Sequence, residues 1–82
     1  MKPRKSVRKF AKLMEKVLQS NDHKGGWQDE DFIYLWNRLI DEMEELGCQL
    51  KKTTLDKKGI IKETVDIANF CMMIAENIKM RK

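Results

Sequence analysis

Two groups of acids carry the chemistry this sequence could do. Asp41-Glu42-Met43-Glu44-Glu45 is the first, and Glu63 with Asp66 is the second. On a helix advancing about 100° per residue, Glu42 and Glu45 lie about 60° apart beside an apolar row, and Asp41 points away from it. Glu63 and Asp66 stand at i and i+3 on a row that continues into Phe70 and Met73. Carboxylates beside a packed surface are costly unless paired or metal-bound. Arg38 and Lys62 can neutralise two of the four charges, not all. If the two helices pack antiparallel, Glu42, Glu45, Glu63 and Asp66 converge as hard oxygen ligands suited to magnesium or manganese. Magnesium needs few protein oxygens where phosphates supply the rest. The expected chemistry is then cleavage of a phosphate ester or anhydride by a metal-activated water. Solvated helix faces with i,i+4 partners are the plainer alternative, and Asp41 and Glu44 fit it.

Three helices must position these acids. The first is predicted from Ser6 to Gln19, with Val7, Phe10, Met14 and Val17 on one face and Ser6 as its cap. The second runs from Asp29 to Gly47, with acids at its start, a stripe of Phe32, Trp36, Leu39, Met43 and Leu46, and Gly47 as its stop. The third runs from Ile60 to Lys79. It is apolar nearly all round between Ile67 and Ala75, as a helix packed on several sides is, with the Met72-Met73 pair in the core. Ser20 to Gly26 and Lys51 to Gly59 read as loops. Nothing alternates with period two, so the fold class is all-α, three helices in an up-down-up bundle.

Eighty-two residues allow one domain, residues 1–82, with a basic arm at 1–5. A core this small is marginal by burial alone, so the bundle is expected to be completed by oligomerisation. No run is long and apolar enough for a membrane helix, and no apolar segment follows the basic N-terminus as in a signal peptide. Cys48 and Cys71 form no framework; they are expected as free thiols used in packing, which suits a cytoplasmic location.

The net charge of +4 hides an uneven distribution. Residues 1–19 hold seven bases and one acid, residues 28–47 seven acids and one base, and residues 48–82 eight bases and four acids. The acidic middle repels a phosphate backbone unless cations intervene, which disfavours nucleic acid as the partner. The competing reading is a basic helical module that binds nucleic acid or regulates a partner through Lys2, Arg4, Lys5, Arg8, Lys9 and Lys12. The chain has no P-loop, no G-x-G-x-x-G and no C-x-x-C, and its lone His23 has no nucleophile partner.

Asp41-Glu42-x-x-Glu45, seventeen residues, then Glu63-x-x-Asp66 resembles the E-E-x-x-E…E-x-x-D signature of the MazG-like family, in the all-α nucleoside triphosphate pyrophosphohydrolase superfamily. Lys24-Gly25-Gly26-Trp27-Gln28 and the run Lys62 to Phe70 extend the likeness, which covers about Phe10 to Ile78. The resemblance implies hydrolysis of a nucleoside triphosphate between its α- and β-phosphates, releasing a monophosphate and pyrophosphate. By position, Glu42, Glu45, Glu63 and Asp66 would hold magnesium, and one of them, such as Glu45, would orient the attacking water. It also implies a homodimer or homotetramer with sites near the subunit interface. Asp41 stands where the family often has Glu, and the chain ends soon after the third helix, so elements that enclose the base would be missing or supplied by a partner chain. A MazG-like chain that has lost catalysis is a further alternative, against which the four retained acids speak.

Four more residues are candidates for the substrate. Asn69 either bonds sugar or base or is an amide satisfied by a neighbouring helix. Trp27 either stacks on a base or staples the start of the second helix. Lys24 and Lys62 either meet phosphates or are solvated, as are Lys57 and Lys58.

Overall fold

The structure, a computed structural model, describes residues 2–21 and 26–81. Three helices follow one another: α1 (Lys5–Ser20), α2 (Phe32–Leu50) and α3 (Lys57–Lys79). Among the described residues there is no strand, and no helix is long and apolar enough to cross a membrane.

The ends of the helices follow from local hydrogen bonds, and they differ from the expected bounds. Asp31 caps α2 by accepting from the Ile33 amide at 2.8 Å, so Asp29 and Glu30 stay in the preceding turn. Gly47 does not stop this helix. A glycine inside a helix costs about 1 kcal/mol, too little to end a well-packed one, and α2 runs on to Leu50. Asp56 caps α3 through the Gly59 amide at 3.1 Å, so this helix starts three residues before Ile60. Ser6 is not a cap. Arg4 precedes α1 in extended conformation and gives no side-chain cap, leaving Ser6 inside the first turn.

α2 and α3 form an antiparallel pair. The start of α2 meets the end of α3, where the Asn77 side chain donates to the Glu30 carbonyl at 2.6 Å. At the opposite end, Gln49 Oε1 lies beside Gly59. Among the described residues, the buried apolar ones are Leu35 and Leu39 of α2 and Val65 of α3. α1 packs on α3 rather than on α2, and none of its residues is buried.

The buried row of α2 is Leu35, Leu39 and Glu42, with Leu46 half-buried. Of the expected stripe, Trp36 and Met43 are exposed instead, at 49% and 51%. Two apolar rows overlap on this helix, and α3 covers only the one that includes Glu42. α3 is likewise not enclosed all round. Cys71 and Ala75 are exposed, and Met72 and Met73 are half-buried. Both cysteines are free and exposed rather than packed.

Candidate metal centre

Glu42 and Glu45 come from the middle of α2 and Glu63 from the first half of α3. The antiparallel pairing sets these stretches side by side. One carboxylate oxygen from each of Glu42, Glu45 and Glu63 lies within 4.8 Å of the others. Glu42 is buried, Glu63 half-buried and Glu45 exposed, so the cluster runs from the helix interface to solvent. Oε2 of Glu63 is shut off from water with no hydrogen-bond partner. A buried acceptor left without a donor costs free energy, and such exceptions call for an explanation.

Counter-charge at the cluster is incomplete. The Arg38 guanidinium reaches Glu42 at 3.2 Å and Asp41 at 3.5 Å. Lys62 Nζ holds Asp66 at 3.0 Å. Among the described residues, Glu45 and Glu63 have no ion pair. The Glu42 carboxyl is accordingly pushed above its ordinary value of 4.5. Burial is the largest cause. A hydrogen bond to Glu63, available only when one of the two is protonated, comes next, and repulsion from Glu63 and Asp66 adds to it. Arg38 offsets part of the rise. Lys62 is also pushed up, first by its bond to Asp66.

Asp66 is not part of the tight triad. It lies on the wall of a cleft of about 260 Å³ together with Arg38, Glu42, Lys62 and Asn69. Arg38 also lines a second opening, of about 530 Å³, with Asp41 and Glu45. The guanidinium therefore stands between the two openings, with its carbon 5.6 Å from the centre of the Phe70 ring. Sequence reasoning placed Arg38 only as a neutralising charge. Its position four residues before Glu42 was the available signal for an i,i+4 partner in the site.

The remaining candidates are spread around these acids. Asn69 is 3% exposed, donates to the Met14 carbonyl at 3.3 Å, and leaves its Oδ1 buried and unpartnered. Trp27 is half-buried and lines an adjoining cleft of about 540 Å³ with Tyr34, Phe70 and Met73. It precedes the Asp31 cap by four residues, too early for the staple position next to a cap. Its Nε1 is buried and unpartnered. The two clefts share Leu18, Asn21, Phe70 and Met73, so Trp27 and the carboxylates Glu42 and Asp66 line neighbouring clefts. Lys24 and His23 lie outside the described residues.

Three carboxylates from two helices, one with an orphaned oxygen, fit a hard divalent cation by donor type and by number. They lack the histidine or thiolate that a softer metal favours.

No protein-family model matches the sequence, and no solved structure matches it. An uncharacterized protein of Archaeoglobus fulgidus is 34% identical over 64 residues, which span 78% of this chain and 67% of the relative. The chain belongs to the same family as this archaeal protein.

Proposed function

We propose that the protein is a magnesium-dependent nucleoside triphosphate pyrophosphohydrolase. The observation that carries the reading is the convergence of Glu42, Glu45 and Glu63, with Glu63 Oε2 buried and unpartnered. The likeness of the acid spacing to the MazG-like signature supports the reaction type. Glu42, Glu45 and Glu63 would hold the cation, with Asp66 joining them once released from Lys62. Bound there, magnesium or manganese neutralises phosphate charge and makes a water more acidic.

The chain's own groups do the rest. Glu45 is the solvent-facing member of the triad, and it orients the attacking water and accepts its proton. The water oxygen bonds to the α-phosphorus and the bridging oxygen leaves with the β-phosphorus, so pyrophosphate departs with the electron pair. Lys62 and Lys24 bind phosphates, while Asn69 and Trp27 bind the nucleoside.

The active form is a homodimer or homotetramer. The Cα radius of gyration is 14.1 Å, against about 12 Å for a compact chain of this length. Among the described residues, eleven large apolar ones are exposed while three are buried, which suits a chain that completes its core with a copy of itself. Two free thiols suit a reducing, cytoplasmic compartment.

The test is pyrophosphate release from a panel of ribo- and deoxyribonucleoside triphosphates, with and without magnesium. Glu63→Gln and Asp66→Asn are expected to lose activity on the order of 10²–10⁴-fold while staying folded. Full turnover in either variant removes the assignment. No turnover by folded wild-type protein moves the reading to an inactive relative or a binding module.

A further inference from the structure

Four charged side chains line the smaller cleft, and they are already paired: Arg38 with Glu42, and Lys62 with Asp66. Each pairing occupies a carboxylate that a cation at this site would draw on. Each base, with its side chain 41% exposed at Arg38 and 65% exposed at Lys62, is then free to meet a new anion that enters the cleft. A separate observation points to a ligand in the same place. Asn69 lines this cleft, is 3% exposed and has an unpartnered Oδ1, while its amide nitrogen is held by Met14. A buried acceptor of this kind calls for a donor from a ligand or an ordered water.

Resting on the function proposed above, we propose that Arg38 and Lys62 are counter-ions that change partner. In the free chain they hold Glu42 and Asp66. When a divalent cation takes these carboxylates, the two bases transfer to the phosphate oxygens of the nucleotide. Arg38 suits this by geometry. Its stacking on Phe70 keeps the guanidinium at the cleft, and its planar fork matches a phosphate through two parallel hydrogen bonds. Cation and polyphosphate then bind cooperatively, because each relieves the cost that the other incurs.

Titration of manganese alone, and separately of magnesium pyrophosphate, into wild type, Arg38→Gln and Lys62→Gln tests the exchange. Both variants are expected to bind manganese alone more tightly, by about fivefold or more, the lower range of such couplings. Both are expected to bind magnesium pyrophosphate more weakly by a similar factor. Opposite signs are the signature, since a merely structural role shifts both affinities the same way. Arg38→Lys keeps the charge without the fork. It is expected to restore wild-type manganese binding and only part of the pyrophosphate affinity, which guards against a misfolded Gln variant. Manganese bound through Glu63, with both affinities unchanged or weakened together in the Gln variants, overturns the exchange and leaves the proposed function standing. Wild type that takes no manganese, or takes it equally well as Glu63→Gln, removes the metal site and the exchange with it.

Discussion

α1 and the α2–α3 pair spend their apolar residues differently. In the pair, Leu35, Leu39 and Val65 are buried, and the pairing carries Glu42 into a buried position beside Glu63. α1 has a well-separated apolar face, yet it buries no residue, and Val7 is 53% exposed. Amphipathic spacing alone therefore does not create a core; a second surface must meet it. In α2–α3 that surface comes from the next helix, and it imposes a cost as well as a gain, because it buries acids. In α1, Ser6, Val7, Phe10, Ala11 and Met14 line an open groove of about 420 Å³.

Core truncation should separate the two regions most strongly. Leu39→Ala and Val65→Ala are expected to destabilise the chain by about 2–5 kcal/mol for leucine and somewhat less for valine, read by denaturant melts. Losses under about 1 kcal/mol would mean that the α2–α3 interface is not the main source of stability. The caps come next. Asp31→Ala and Asp56→Ala should cost about 0.5–2 kcal/mol each, and Ser6→Ala should have almost no effect. Equal losses at all three would place the start of α1 at Ser6 after all.

A pH series sharpens the contrast from the electrostatic side. Because the Glu42 carboxyl is raised above 4.5, the folded chain holds its proton more tightly than the unfolded one. Its contribution is fully present below 4.5 and is lost as pH rises through the raised value. Metal-free thermal melts should therefore fall as pH climbs from 4.5, and Glu42→Gln should flatten that part of the slope. Added magnesium should flatten it too, by supplying the missing positive charge. An identical slope in the variant would take Glu42 out of the account.

The smallest effect belongs to α1. Val7→Ala should stay within about 0.5 kcal/mol in a dilute single chain. A larger loss that grows with protein concentration would show that a second copy covers this face.

Much of this was legible from residue order. The i,i+3 acid pairs at Glu42 and Glu45 and at Glu63 and Asp66 could be read because helical spacing is a property of the local chain. Arg38 and Lys62 could be read as their neutralising neighbours for the same reason. The row that α3 covers could not be read. Trp36 and Met43 lie on a stripe as regular as the buried one, and a difference of one residue in rotation exchanges them with Leu35 and Glu42. Nor was the split among the four acids legible. Three converge, while Asp66 turns to Lys62 one helical turn back along α3.

The sequence by itself determined three helices, their approximate limits and which acids share a helix face, because turn residues, apolar period and i,i+3 spacing act within a few residues of each other. Only the tertiary structure decided which face of α2 meets α3, that Glu42 is buried with an orphaned oxygen of Glu63 beside it, and that Arg38 stands at the mouth of the cleft. Those outcomes depend on the rotation and crossing of two helices, which are set by packing between residues distant in the chain.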